Sequence, residues 1–148
     1  MMSTLLSATK NSHSLPAKVK PVVIDSLNEV LATLLDLKLQ VKQAHWNIKG
    51  PNFIGLHLLF DTFAAELEAH IDEVAERAVA IGGIAYGTPQ SIVEVSSLEV
   101  WDKTFQKQSV ILPYLTVQYA DAAALVRNSI TTVAEVDDEG TEDIYIQA

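Results

Sequence analysis

Apolar residues recur at helical spacing along most of the chain, and the two-residue alternation of strands is absent, so the pattern predicts an all-α fold. Val23, Leu27, Val30, Leu31, Leu34 and Val41 mark a first helix over 21–48. Pro21 suits its first turn and Gly50-Pro51 ends it. A second helix over 53–81 carries Phe53, Leu56, Phe60, Phe63, Leu67, Ile71, Val74 and Ile81 on one stripe. Asn52 is placed to cap it, and Gly82-Gly83 stops it. Ser96-Ser97-Leu98-Glu99 resembles a capping box and predicts a short helix over 97–106, pinned to the bundle by Trp101 and Phe105. A third long helix covers 109–134, with Pro113 tolerated near its first turn and Tyr119, Ala122, Leu125, Val126 and Ile130 facing inward. An acidic turn over 135–143 follows, where Thr141 is placed to cap a fourth helix that has barely begun at Ala148. Three long amphipathic helices leave a groove that a bundle normally closes with a fourth. The expectation is a four-helix bundle whose fourth helix is truncated.

Composition narrows this picture. The 148 residues suffice for one domain with its own core, taken as 21–148 behind a weakly basic tail over 1–20. No cysteine is present, which excludes disulfides, zinc fingers and thiol nucleophiles; a bound metal must rest on oxygen and imidazole ligands. The net charge of −9 repels nucleic acid on average and attracts cations. The tail is the exception: Lys10, Lys18 and Lys20 lie there without an acid, and serve either as a weak tether for DNA phosphates or in no role at all. No apolar run reads as long enough to span a bilayer, and Leu5-Leu6 is too short for a signal peptide, so a cytoplasmic location is expected.

The candidate chemistry lies on the second helix. His57 and Asp61 are four residues apart near its start, and Asp72 and Glu76 repeat the spacing near its end. At roughly 100° per residue, His57, Asp61, Glu68, Asp72 and Glu76 fall within one sector about 100° wide, beside the apolar stripe. The alternative for such acids is a solvated helix face. The two pairs cannot serve one metal ion within one chain, because 15 positions at 1.5 Å each separate them by roughly 22 Å. A twofold axis near Leu67 would lay the helix antiparallel on its copy, with Ala64 and Ala65 allowing close approach. Each His57–Asp61 pair would then meet Asp72 and Glu76 of the other chain. The Glu-x-x-His signature of a di-iron site inside a single bundle is absent, as are the phosphate-loop and His-Glu-x-x-His motifs.

The stretch Lys42-Gln-Ala-His45-Trp46-Asn47-Ile-Lys-Gly50-Pro-Asn52-Phe53-Ile-Gly-Leu-His57-Leu-Leu-Phe-Asp61, with Asp72-Glu-Val-Ala-Glu76-Arg77-Ala and Gly82-Gly83, resembles the Dps family of mini-ferritins, the DNA-binding proteins from starved cells. The resemblance implies a ferritin-like subunit in a hollow dodecamer that oxidises Fe(II), preferably with hydrogen peroxide, and stores the ferric mineral. It implies a centre between subunits, with His45, His57 and Asp61 from one chain and Asp72 and Glu76 from its mate. Trp46 would lie beside that centre and quench oxidising equivalents, be a packed aromatic, or do both. Asp138 and Asp143 match a threefold pore through which iron enters. The expected function is ferroxidase and iron storage that protects DNA from oxidative damage. The alternative is a non-enzymatic nucleoid protein that compacts DNA through Lys10, Lys18 and Lys20.

Overall fold

Five α-helices make up residues 15–148, the part of the chain described by the computed structural model, and no strand occurs among them. They are α1 (Lys20–Asn47), α2 (Phe53–Ala80), α3 (Pro89–Val95), α4 (Gln108–Ala134) and α5 (Glu139–Gln147). The three long helices follow the apolar periodicity to within one residue at each end. The all-α bundle is therefore the observed architecture.

α1 is central and packs against α2, α3 and α4. Its Val23, Leu27, Val30, Leu31, Leu34, Leu37 and Val41 are buried, and a side chain of this kind contributes about 1.5–3 kcal/mol when fully removed from water. α2 lies along α1 with Phe60, Ala64, Leu67, Ile71, Val74 and Ala78 inward. It stops as predicted: Gly82 takes φ +92°, its N–H reaches Val79 O at 2.9 Å, and Gly83 N–H reaches Ala78 O at 2.8 Å. Its start differs from expectation. Asn52 makes no side-chain cap, and its backbone N–H is instead taken by Gln108 Oε1 at 3.2 Å.

The connection from α2 to α4 holds the main correction. The short helix is α3, not a helix over 97–106. Thr88 accepts from Ser91 N–H and Pro89 sits at the first helical position, so Thr88-Pro89 was the start signal. The box at 96–99 fails because its backbone groups are taken by side chains on the long helices. Glu99 N–H donates to Gln118 Oε1, and Glu99 O accepts from Gln40 Nε2 and the Tyr114 hydroxyl. Ser96 Oγ donates to Asp36. Further back, Asn28 donates to Ile84 O and accepts from Tyr86 N–H. Trp101 and Phe105 do pin the segment, forming an edge-on trio with Tyr114 at centroid distances of 5.2–5.6 Å.

Two further boundaries move. Lys20 is the first residue of α1, and Leu15 and Val19 pack on the core, so 15–20 belong to the folded body rather than a tail; Lys10 lies outside the described residues. At the other end, Asp138 caps α5 in place of Thr141, accepting from Thr141 N–H and Oγ1. Arg77 of α2 locks this turn, donating to Asp138 Oδ1 at 2.7 Å and Thr141 Oγ1 at 3.0 Å. Tyr145 Oη and Ser26 Oγ hydrogen-bond at 3.0 Å in the core below α5. Beyond α5 a groove of about 480 Å³ stays open between α2 and α4, lined by Phe60, Phe63, His70, Leu115 and Tyr119. α4 also corrects the composition reading. It is long and apolar enough by those two measures to cross a membrane, although Ile111, Leu115, Ala122, Val126 and Val133 are buried inside the bundle.

Candidate metal half-sites on α2

The end of α1 and the start of α2 hold their histidines in a reciprocal clasp. His45 and His57 stack with ring centroids 3.7 Å apart and planes 18° from parallel. His45 Nδ1 donates to His57 O at 2.7 Å, and His57 Nδ1 donates to His45 O at 2.8 Å. A carbonyl only accepts, so each Nδ1 carries its proton, which leaves Nε2 as the ring atom available to a metal. A metal-ligating imidazole is normally fixed in this way, its second nitrogen bonded to a carbonyl. Phe53 packs on His57 at 5.2 Å, which places the ring further.

Asp61 stands one turn after His57 and is exposed. Lys42, on the facing turn of α1, donates to its Oδ1 at 2.6 Å. That hydrogen bond, and the lysine charge behind it, hold the Asp61 carboxyl below its ordinary range. The same ammonium lies 5.7 Å from the Trp46 ring centroid. One turn earlier, Lys38 pairs with Glu68, the mid-stripe acid. Lys42 and Lys38 are neighbours of the stripe to which the sequence alone assigns no role. Their i, i+4 spacing opposite the stripe was the available signal.

Asp72 and Glu76 lie exposed at the far end of α2. Among the described residues no three His, Asp or Glu side chains converge closely enough to hold a metal ion. The chain thus stacks His45 on His57 and sets Asp61 against Lys42, which also neighbours Trp46, while Asp72 and Glu76 stand at the far end of the helix. Ala64 is corrected: it is buried in the chain's own core and so is not available to a packing copy, whereas Ala65 is exposed. The stripe is also less purely acidic than its charges suggest. Ile54, Leu58 and Val79 are 64%, 61% and 58% exposed, and at roughly 100° per residue they fall in the same sector as the carboxylates.

A family profile described as a ferritin-like domain matches residues 24–148. The DNA protection during starvation protein of Agrobacterium fabrum is 40% identical over 139 residues, covering 94% of this chain and 86% of that protein. The chain belongs to the Dps family. DNA protection during starvation protein 1 of Deinococcus radiodurans is 33% identical over 97% of this chain and 70% of its own length. Among solved structures, DpsC from Streptomyces coelicolor superposes with a TM-score of 0.85 at 29% identity, covering 89% of this chain and 77% of its own. A Dps1 variant from Mycobacterium smegmatis gives 0.83 at 31% identity, covering 89% and 88%.

The remaining Dps-derived positions fall unevenly. Trp46 is 63% exposed beside Lys42, so it is no packed core aromatic of this chain. Asp138 is corrected as a pore acid: it is 3% exposed, and its carboxylate is occupied by Arg77 and Thr141. Asp143 is exposed and accepts from Gln147 Nε2 at 3.2 Å. Of the three tail lysines, Lys18 is exposed and Lys20 half-buried.

Proposed function

We propose that this Dps-family chain is a ferroxidase and iron-storage subunit, oxidising Fe(II) at centres shared by two copies of α2. The observation that carries the reading is the histidine clasp, which fixes two imidazoles through their Nδ1 atoms one helical turn from the exposed carboxylate of Asp61. Imidazole nitrogen and carboxylate oxygen suit iron as substrate in both oxidation states. Completion by a second copy is supported by position along α2. The pairs Ile54 with Val79, His57 with Glu76 and Asp61 with Asp72 share one midpoint, between Glu66 and Leu67. A twofold axis there would seat the exposed apolar residues on one another and bring Asp72 and Glu76 to the partner's clasp, twice per dimer.

Two ferrous ions held together would give one electron each to hydrogen peroxide. Its O–O bond takes both and the oxygens leave as water or hydroxide, so no hydroxyl radical is released. His45 and His57 orient the ions through Nε2, while Lys42 holds the Asp61 carboxylate ionised until iron displaces it. Trp46, next to Lys42, is placed to yield an electron to any stray oxidant. Ferric product would be stored in a hollow dodecamer, with Asp143 among the acids that draw iron through a threefold pore. DNA is thereby protected by removal of both reactants of radical formation.

The test follows ferric absorbance after Fe(II) and then peroxide are added to purified protein. Oxidation well above a protein-free control, with soluble product, is expected. Loss of that rate in His57→Ala with Asp61→Ala is also expected; a double variant that oxidises iron at the full rate would refute the site.

A further inference from the structure

Lys38 and Lys42 reach from successive turns of α1 to the acidic stripe of α2, and each takes one of its carboxylates, Glu68 and Asp61. The two pairs differ in one respect: Asp61 stands in the proposed centre and Glu68 does not. Lys42 Nζ donates to Asp61 Oδ1 at 2.6 Å, and no other hydrogen bond to Asp61 occurs among the described residues. The Lys42 side chain is 25% exposed against 59% for Asp61, so the ammonium meets the carboxylate from the α1 side and leaves its outer side open. Val41 and Ala44, both buried, fix the α1 backbone beneath the lysine. The exposed Trp46 ring has its centroid 5.7 Å from the same Nζ. One flexible stem thus has two partners within reach, a carboxylate and an aromatic face.

A surface ion pair of this kind adds little to stability. Its consequence for a centre that must fill and empty is larger. A tethered ammonium is present at high effective concentration beside the carboxylate that iron has to use. Iron arriving at Asp61 must displace it, so affinity is lowered by the strength of the pair. The displaced ammonium keeps the Trp46 face as a partner. When iron leaves, the lysine returns, and Asp61 does not stand as a bare anion beside the other acids of the stripe.

We propose that Lys42 is a positioning residue that acts through Asp61 as a resident counter-cation: it weakens the hold of the centre on metal and reclaims the carboxylate as ferric iron passes to the store. The proposal rests on the ferroxidase reading above and adds to it a device for emptying the centre. Lys38 is an internal control, since it brings the same charge to the stripe one turn away but opposes Glu68, which is no proposed ligand.

The test is calorimetric titration of the full-length protein with Zn(II), which takes the same imidazole and carboxylate donors and has no redox chemistry. The parent, Lys42→Met, Lys38→Met and His57→Ala/Asp61→Ala are compared. Lys42→Met is expected to bind Zn(II) roughly two- to fivefold more tightly, the range set by an exposed ion pair. Lys38→Met should stay near the parent. A lysine that served only to hold Asp61 in place would give the opposite sign, weaker binding on its removal. In iron oxidation by successive additions of Fe(II) and peroxide, Lys42→Met should match the parent on the first addition and fall behind on later ones, as ferric product stays at Asp61. Zinc affinity in Lys42→Met equal to or below the parent's overturns the proposal. An equal gain in Lys38→Met does so too, by reducing the effect to net charge, and later iron additions that keep pace with the first overturn the emptying role. Those results leave the ferroxidase reading intact. Its own failure shows separately, as a His57→Ala/Asp61→Ala variant that binds Zn(II) as the parent does, and takes this proposal with it.

Discussion

The two ends of α2 carry matching ligand pairs and are treated oppositely by the chain. At the first end, His57 is stacked, hydrogen-bonded and backed by Phe53, and Asp61 is held by Lys42. At the second, Asp72 and Glu76 extend from the helix surface, and the neighbouring hydrogen bonds go to Arg77, which faces α5. The first end is organised within the single chain. On the proposed reading, the other depends only on the straightness of the helix and the arrival of a copy. A centre built this way would be set by the fold where imidazole orientation matters, and by symmetry where a carboxylate suffices.

The comparison breaks first in activity. Asp72→Ala with Glu76→Ala should abolish iron oxidation as fully as His57→Ala with Asp61→Ala, each by on the order of a hundredfold or more, since removing half the ligands ends metal-assisted chemistry. Stopped-flow ferric absorbance reads both. Unequal losses would mean that one end is not part of the centre.

Stability should separate what activity does not. Arg77→Ala leaves the buried Asp138 carboxylate without its cation and should cost about 2–3 kcal/mol by urea denaturation. His57→Ala loses a hydrogen bond and a stacked ring and should cost about 1–2 kcal/mol. Asp72→Ala should stay within about 0.5 kcal/mol, as exposed substitutions do. A cost at Asp72 equal to that at His57 would show that the second end is organised after all.

The smallest effect is in titration. Lys42 lowers the folded-state pKa of Asp61, so the pair is formed at neutral pH and is lost as pH falls through that lowered value. In Lys42→Met the Asp61 carboxyl should titrate higher, read by carboxyl NMR; an unmoved titration would show that Lys42 does not hold it. Tyr114 supplies an alkaline counterpart. Burial raises its hydroxyl to about 12. The stability linked to it is complete below its unfolded pKa of about 10 and is lost as pH rises through the folded value. Stability measured by urea denaturation should therefore decline as pH rises through that window, and Tyr114→Phe should flatten the decline.

The long helices were legible because apolar spacing alone sets α1, α2 and α4, and the α2 stripe was legible because five ligand-type side chains share one sector. The strap over 84–107 was not. Its shape depends on Asn28, Gln40, Tyr114 and Gln118, which reach it from distant helices and leave no local pattern. Asp138 misled for a similar reason. Within its own segment it is one acid among several, and only Arg77, 61 residues away, makes it a buried cap. His45 carried no geometric signal in sequence and came from the Dps resemblance alone. The clasp with His57 is what gives it a physical role.

The central claim is that each centre is assembled from two chains, and complementation tests it most directly. His57→Ala/Asp61→Ala and Asp72→Ala/Glu76→Ala chains, each inactive alone, are unfolded together in equal amounts and refolded. A mixed dimer would join the intact clasp of one chain to the intact Asp72 and Glu76 of the other at one of its two sites. With random pairing, iron oxidation should return to about a quarter of the parent rate. A mixture that forms mixed dimers and remains as inactive as its components would contradict a shared centre.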